Sequence, residues 1–192
     1  MCNDYANHVP WSVYVEAFSE IRLPVVLPKA ALNLEPRDDI WPTDIAPIIR
    51  PAPGGVEVAQ VRWGFPAPRP KAPPVINFRS EGRRFDKGRC LVPASWFYEF
   101  RGVKAPKEKW RFIKAGEEWF CFAGLWRPSS ASGPEAFTLL TTEPGPDVAP
   151  IHDRQMVVLN RTDWATWLDT SQPATHLLRA LPVGSLERER VR

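Results

Sequence analysis

Residues 119–126 have the sequence WFCFAGLW, a nearly continuous run of aromatic and other apolar side chains. This run predicts a strand that is buried on both faces, because a strand with one solvated face alternates apolar and polar residues. Residues 56–63 (VEVAQVRW) have such alternation, follow a Gly-Gly turn and are predicted to form a half-buried strand. The core is therefore predicted to be a β-sheet built around residues 119–126.

Short strands are predicted on both sides of this central segment. They comprise residues 23–26, 45–49, 90–100, 110–113, 137–142 and 156–159. Proline is abundant, at 22 of 192 residues, whereas average usage would give about ten. Because proline interrupts long helices, this abundance favours short strands joined by ordered turns.

Helices are predicted only beside the sheet. They comprise residues 12–19 with Ser12 as N-cap, a helix that Thr162 caps and that ends at Leu168, and a helix from Pro173 to Leu181. These elements predict an α+β fold, a single compact domain over residues 1–186 in which mostly antiparallel short strands form a barrel-like sheet with peripheral helices. The basic tail, residues 187–192, is predicted to be frayed.

The composition argues against several classes of protein. The longest apolar stretches, such as residues 23–28, are far too short to span a membrane, and the N-terminus lacks the regions of a secretory signal. Cys2, Cys90 and Cys121, without C-x-x-C or H-x-x-x-H spacing, predict neither a disulfide framework nor a zinc site. We expect a cytoplasmic protein without a metal, a cofactor or a membrane partner.

Positive charge is concentrated in one part of the chain, although the net charge is only +3. Residues 62–89 contain eight basic side chains against Glu81 and Asp86, a local net charge of +6. The basic side chains are Arg62, Arg69, Lys71, Arg79, Arg83, Arg84, Lys87 and Arg89. Such a block can follow the phosphates of a nucleic acid, although runs of like charge are also common in solvated loops.

Cys2 becomes the N-terminal residue when methionine aminopeptidase removes Met1. An α-amine with a reference pKa of about 8 and a thiol with one of about 8.5 are then on adjacent carbons. This 1,2-aminothiol can condense with an aldehyde to a Schiff base, and addition of the thiol closes a five-membered thiazolidine. An internal cysteine lacks the amine and cannot react in this way. Taken alone, a cysteine at position 2 is better interpreted as incidental.

Three further segments carry side chains suited to such chemistry. In residues 77–81 (NFRSE), Asn77 and Arg79 share one face, where the amide can orient a nucleophile and the guanidinium can hold a phosphate. Glu99 is flanked by aromatic residues, a setting that tends to raise the pKa of a carboxyl. His152 is a candidate acid–base group. An exposed polar strand face, a solvent-exposed glutamate and a structural histidine are the alternatives.

The order and joint presence of these segments resemble the SOS-response-associated peptidase (SRAP) family, whose members include bacterial and vertebrate proteins that shield abasic sites. The resemblance extends from residue 1 to about residue 168. It rests on residues 41–43 (WPT), 46–47 (AP), 62–64 (RWG), 77–81 (NFRSE), 89–99 (RCLVPASWFYE), 122–126 (FAGLW), 138–142 (TLLTT) and 152–154 (HDR). It implies a compact, β-rich α+β domain, in agreement with the predicted strands.

The resemblance also implies a function. The protein would bind single-stranded DNA, and Cys2 would form a covalent thiazolidine with the ring-opened sugar of an abasic site, shielding it during the DNA damage response. Asn77 would position the Cys2 amine, Glu99 would shuttle protons, and His152 would hold the sugar hydroxyl or aldehyde oxygen.

The implied DNA contacts lie around these catalytic residues. Arg79, Arg154 and Thr141 would contact phosphates, and Pro42 would pack at the site. The resemblance further implies a monomer, which in a bacterium would be associated with the nucleoid.

Three positions depart from the family pattern, and all of them bear on DNA geometry. The family usually has Gly-Arg after the cysteine, whereas this chain has Asn3 and Asp4, so either the DNA takes a shifted path or Asp4 pairs with a neighbouring arginine. Many members carry an aromatic wedge where this chain has APRP at residues 67–70, and Arg69 would compensate through its charge. Trp96 replaces a common glycine and either narrows the site or turns inward.

Other functions fit the same residues. A cysteine-type peptidase would use Cys2 for acyl transfer and remove Met1 by self-cleavage. An abasic-site lyase would carry the Schiff base on to β-elimination and strand cleavage. A non-catalytic single-strand-binding module would use only the basic block, with salt-dependent binding and no covalent product.

Overall fold

The computed structural model describes residues 3–28, 31–67, 69–131 and 133–192. Within these residues the strands are β1 (Tyr5–Asn7), β2 (Arg37–Ile40), β3 (Ile45–Ala52), β4 (Gly55–Trp63), β5 (Asn77–Arg79), β6 (Arg89–Ala94), β7 (Trp96–Arg101), β8 (Glu108–Lys114), β9 (Phe120–Arg127), β10 (Ala136–Thr142), β11 (Gln155–Met156), β12 (Val158–Leu159) and β13 (Leu186–Arg190). The α-helices are α1 (Trp11–Glu20) and α2 (Trp164–Leu168), and Arg161–Asp163 and Thr175–Leu177 form 3-10 helices.

A closed ring of strands forms a barrel. β10 pairs with β4, β4 with β3, β3 with β6 and β6 with β9, and β9 returns to β10. The β10–β4 pair is parallel and the others are antiparallel. The predicted central strand corresponds to β9, whose residues from Phe120 to Leu125 are all buried. The barrel-like, mostly antiparallel sheet predicted from the sequence is therefore confirmed.

A second sheet has the strand order β13–β8–β7–β1–β2, with antiparallel neighbours throughout. One of its faces closes the barrel interior, because Tyr5 of β1 and Phe97 of β7 belong to the same buried cluster as Phe122 and Leu139. The Phe122 ring meets the rings of Tyr5 and Phe97 edge to face, with centroids 6.0 and 5.7 Å apart. This inner cluster joins the two sheets into one core.

An outer cluster lies on the other face of the barrel, where the helices pack. Cys121 and Ala123 of β9 belong to this cluster, whereas their neighbour Phe122 belongs to the inner one, as the alternation of a strand requires. Phe18 of α1 stacks on Trp164 at a centroid distance of 5.3 Å. None of the helices in the described part of the chain has the length and apolarity needed to span a membrane.

Arg89 is part of this core although the sequence places it in the basic block. Its guanidinium donates hydrogen bonds to the backbone oxygens of Phe85, Asp169 and Gln172 at 2.6, 2.9 and 2.9 Å, and the residue is 2% exposed. Burial lowers its pKa. Arg89 therefore ties the segment after α2 to the barrel and is not placed to contact DNA.

Three of the predicted strands differ from the structure. The one over residues 156–159 is divided into β11 and β12, which pair with β10 and β9 respectively. The prediction of a strand over residues 23–26 was wrong, because only Val25 forms a bridge, to Val56. The predicted strand over residues 90–100 is divided at Ser95, where the chain leaves the barrel and enters the second sheet. Ser95 fixes this crossing, since its N–H donates to Ala6 O and its hydroxyl accepts from the His8 N–H, at 2.8 and 3.0 Å.

The predicted helix starts were wrong. Pro10 occupies the N-cap of α1 and its carbonyl accepts from Val13 and Tyr14, so Ser12 lies inside the helix. Thr162 lies within the 3-10 turn before α2 rather than at a cap. The helix predicted from Pro173 to Leu181 is limited to Thr175–Leu177, because the backbone leaves the helical region at Leu178.

The predicted frayed tail was also wrong. Leu186–Arg190 forms β13, which pairs with β8 from Leu186–Lys114 to Arg190–Trp110. Asp147 fixes the entry to this strand, because its carboxylate accepts from the N–H groups of Gly184 and Leu186 at 2.9 and 3.0 Å. The charged C-terminal segment is thus ordered because β13 adds to the second sheet as an edge strand beside β8.

Gly124 provides a test of the barrel packing. A Cβ at this position would lie 2.8 Å from Val92 Cγ2 and 3.0 Å from Cys90 Sγ, closer than side-chain carbons approach. We expect Gly124→Ala to lower the free energy of unfolding by about 1–3 kcal/mol, because overpacking forces the core to shift. Urea denaturation measures the change, with the exposed Glu118→Ala as control. Equal stability of Gly124→Ala and wild type would contradict the packing.

Candidate active site

The site forms at the end of β10, where this strand has a neighbour on each edge. Thr141 of β10 lies opposite Arg79 of β5 on one side and opposite Met156 of β11 on the other. Asn77 lies opposite Leu139 of the same strand. Two of the predicted site segments, residues 77–81 and 152–154, are therefore brought together by β10.

Side-chain alternation assigns the site to the inner side of the barrel. Leu139 belongs to the inner cluster and Leu140 to the outer one. Paired residues of parallel strands face the same way, so Asn77 and Arg79 share the inner side with Leu139 and Thr141, whereas Phe78 packs on the outer cluster.

Glu99 and His152 lie next to each other at the site. Glu99 extends from β7 on the same face as Phe97, is 1% exposed and has its Oε2 atom 3.8 Å from His152 Nε2. His152 Nδ1 lies 3.0 Å from Arg154 N, 3.1 Å from Arg154 O and 3.0 Å from Asp153 Oδ1, and its Nε2 faces Glu99. Burial lowers the pKa of His152, which favours the neutral ring.

Arg154 is held by one side chain from the turn after β5 and one from β10. It donates to both carboxylate oxygens of Glu81, at 2.6 and 3.0 Å, and to Thr141 Oγ1 at 3.1 Å. The hydrogen bonds from Arg154 lower the pKa of Glu81. A DNA phosphate at Arg154 would have to displace Glu81, and Thr141, 1% exposed, acts here by orienting Arg154. No sequence pattern indicated this pairing, which joins residues 73 positions apart.

Asp4 is buried and paired with a lysine rather than with the arginine expected as one alternative. Lys109 Nζ lies 2.7 Å from Asp4 Oδ2, 3.2 Å from Asp39 Oδ1 and 3.6 Å from the Tyr98 ring centroid. Burial raises the pKa of Asp4 to about 6, although hydrogen bonding and charge attraction from Lys109 oppose this shift. The carboxylate of Asp4 therefore faces the protein and not the solvent.

Trp96 lies on the face of β7 opposite to Glu99, so the two sequence alternatives, a narrowed site and an inward ring, are both wrong. Its Nε1 donates to Tyr98 Oη at 2.8 Å, and its ring centroid is 4.7 Å from that of His8. Because residues 96 and 99 are an odd number of positions apart in one strand, their side chains lie on opposite faces of the sheet.

The other predicted site residues are less closely connected. Pro42 lies half-buried in the turn between β2 and β3, where Thr43 has a positive φ of 80°. Arg69 is exposed in a turn closed by the Ala72 N–H on Arg69 O at 3.2 Å. Cys2 lies outside the described residues.

The described residues contain no group of three or more His, Cys, Asp or Glu side chains arranged to hold a metal ion.

The sequence model of the family described as SOS response associated peptidase (SRAP) matches residues 1–192. The chain belongs to this family. Two similar proteins of Bacillus subtilis (strain 168) are named abasic site processing protein YoaM and abasic site processing protein YoqW. They are 29% and 30% identical to this chain over 140 and 141 residues, which is 65% of this chain. The match spans 62% of the length of each of these relatives.

Solved structures share the SRAP chain's fold. A protein from Bordetella bronchiseptica aligns with a TM-score of 0.75 and 24% identity, over 100% of both chains. A protein from Bacteroides thetaiotaomicron aligns with a TM-score of 0.76 and 16% identity, over 100% of this chain and 92% of that one. At these identities the likeness supports the architecture alone.

The buried Asp4 predicts a pH-dependent stability. A carboxyl whose pKa rises from 3.8 to about 6 on folding stabilises the protein below pH 3.8, and this contribution is lost as the pH rises to 6. The unfolding free energy of wild type relative to Asp4→Asn should therefore fall by about 3 kcal/mol over this interval. Urea denaturation across the pH range measures it.

The matched control for this measurement is Asp39→Asn, which removes the more exposed carboxylate from the same Lys109. A difference between wild type and Asp4→Asn that is constant with pH, or that increases as the pH rises, would contradict the burial of Asp4.

Proposed function

We propose that this protein captures abasic sites in single-stranded DNA by forming a thiazolidine with Cys2. Hydrolysis of the Met1–Cys2 peptide bond exposes the amine. The amine condenses with the aldehyde of the ring-opened sugar and releases one water. The thiol then adds to the imine carbon, and its proton goes to the nitrogen. No oxidant or reductant is needed, because the two bonds formed consume only the amine, the thiol and the aldehyde.

The observation that carries this proposal is the position of β1 beside the Glu99–His152 pair. The Tyr98 N–H, one residue before Glu99, donates to Asp4 O at 3.0 Å. Cys2 precedes Asp4 by two residues, and two extended residues span about 7 Å at most. The chain thus limits how far the Cys2 amine can be from a carboxyl suited to proton transfer.

Each of the two groups has a defined task in the proposed reaction. His152 can donate a ring N–H to the hydroxyl or aldehyde oxygen of the sugar. Glu99, 3.8 Å away, can accept a proton from the attacking amine and return it to the departing water. The exposed Arg79, on the same side as Asn77, is the group best available to a phosphate.

The other cysteines are unsuited to nucleophilic chemistry. Cys90 and Cys121 are fully buried, and burial raises the pKa of both thiols well above the ordinary value. The names of the Bacillus relatives, abasic site processing proteins, support the same substrate for this chain.

A denaturing gel tests the proposal. Protein lacking Met1 is mixed with single-stranded DNA that carries one abasic site. We expect a covalent band that is absent with intact DNA, absent with Cys2→Ala and absent when Met1 is retained, because each change removes the aldehyde, the thiol or the free amine.

The other outcomes separate the alternatives. Both nucleophiles are partly available between pH values of about 6 and 8. Absence of a covalent band throughout this range would contradict the proposal. A shortened DNA strand without a crosslink would indicate the lyase. Salt-dependent binding to intact DNA with no covalent product would indicate the non-catalytic module.

Glu99→Gln tests proton transfer with a nearly isosteric change. We expect the single-turnover rate of crosslinking to fall about 100-fold, because general acid–base catalysis by one group contributes roughly this factor. The exposed Glu118→Gln is the control and should react like wild type.

The same variant separates aldehyde capture from self-cleavage. Mass spectrometry of purified Glu99→Gln reports whether Met1 is still removed. Loss of Met1 with slow crosslinking supports a host aminopeptidase and a role for Glu99 in capture. Retention of Met1 supports the peptidase, and wild-type crosslinking by Glu99→Gln would overturn the assigned role.

A further inference from the structure

A groove with an aromatic floor lies on the other side of β5 from Asn77 and Arg79. Its volume is about 760 Å³. The floor comprises Phe65, Phe78, Phe85 and Trp126. Because Phe78 lies between Asn77 and Arg79 in the strand, its ring enters this groove while its two neighbours face the candidate active site.

The rim of the groove is strongly basic. Arg83, Arg84, Lys87 and Arg127 are exposed along it, and Asp86 is the one acidic side chain in the lining. Asp86 lies 3.7 Å from Arg84 with both side chains about two-thirds exposed, so this pair neutralises little. Among the described residues, Arg83, Lys87 and Arg127 have no ion-pair partner.

The cations already stack on the rings of the floor. The Arg83 guanidinium carbon is 4.8 Å from the Phe78 ring centroid, and that of Arg127 is 4.3 Å from the Phe65 centroid. Phe78 and Phe85 meet edge to face at 6.1 Å. Flat apolar faces beside guanidinium groups are the combination that binds the bases and phosphates of a single strand.

The groove is continuous with the candidate active site through one tight turn. The Arg83 N–H donates to Ser80 O at 3.1 Å, and the Ser80 N–H donates to Thr141 O at 3.0 Å. Arg79 is therefore at the edge shared by the two surfaces, and the basic side chains continue from it around the turn to Arg83 and Arg84. This is the part of the basic block that the proposed chemistry does not use.

We propose that this groove binds the single strand that flanks the abasic site, with phosphates on the basic rim and bases against the aromatic floor. The inference rests on the proposed function for its ligand, and it assigns a second contact region that extends the bound length of DNA. Single-stranded DNA fits better than an acidic peptide, because the half-buried rings of Phe78, Phe85 and Trp126 can contact bases while the surrounding cations contact phosphates.

The test measures binding of intact fluorescein-labelled dT15 and dT5 by fluorescence anisotropy. The variant is Arg83→Gln with Arg84→Gln, and the control is Arg22→Gln with Arg179→Gln, which removes the same charge from exposed positions elsewhere. We expect the groove variant to bind dT15 about tenfold more weakly at low salt and to lose most of the advantage of dT15 over dT5. The slope of log K against log salt should decrease by about 1.4, the value for two lost phosphate contacts.

A second variant tests the aromatic floor. Phe85→Leu keeps an apolar side chain and removes the ring face, so dT15 binding should weaken about fivefold with little change in salt slope. Circular dichroism verifies that each variant is folded. If the groove variants bind dT15 with the same affinity as the control, the groove does not bind single-stranded DNA and the inference is overturned.

Failure of the inference and failure of the proposed function are distinguishable. Anisotropy uses intact DNA and needs no covalent chemistry, whereas the gel assay on wild type reports the crosslink alone. A crosslink with unchanged dT15 binding in the groove variants would retain the function and reject the groove. Weakened dT15 binding without any crosslink would retain the groove and reject aldehyde capture.

Discussion

Strand β10 has two different neighbours along each edge, and this pairing determines where the site forms. Its first residues pair with β4 and β9 and close the barrel. Its last residues pair with β5 and β11 and bring Arg79 and Met156 to either side of Thr141. Because all seven residues of β10 are buried, a shift of register would expose core side chains. The barrel core therefore fixes the geometry of the polar groups at its end.

Charged groups around the site are compensated in pairs within the protein. Glu81 neutralises Arg154, and Lys109 neutralises the buried Asp4. Buried charges are costly unless they are paired and hydrogen-bonded, so these pairs hold the segments after β5 and before β1 in place. Arg79, Arg83, Arg84 and Lys87 remain exposed. The exposed positive charge is consequently concentrated at the edge of β5 and in the groove beyond it.

Periodicity predicted the central strands well because burial alone determines their pattern, as in β9 and β4. It failed where tertiary contacts determine the structure, since the charged residues of β13 are ordered only by pairing with β8. Asn77, Glu99 and His152 were candidates by their side-chain chemistry and received roles by resemblance to a family, and the structure brings Glu99 and His152 within 3.8 Å. Lys109 could not be predicted as the partner of Asp4, because the two are joined only by the order of β1, β7 and β8.

Cys2 is the residue that we propose to react at this site. Mass spectrometry of the digested DNA–protein adduct tests this proposal most directly. We predict that the sugar remnant is on the peptide beginning with Cys2, that its mass equals peptide plus aldehyde minus one water, and that the Cys2 thiol can then no longer be alkylated. A remnant on a lysine such as Lys87, or on a Cys2 peptide whose thiol still reacts, would contradict the account.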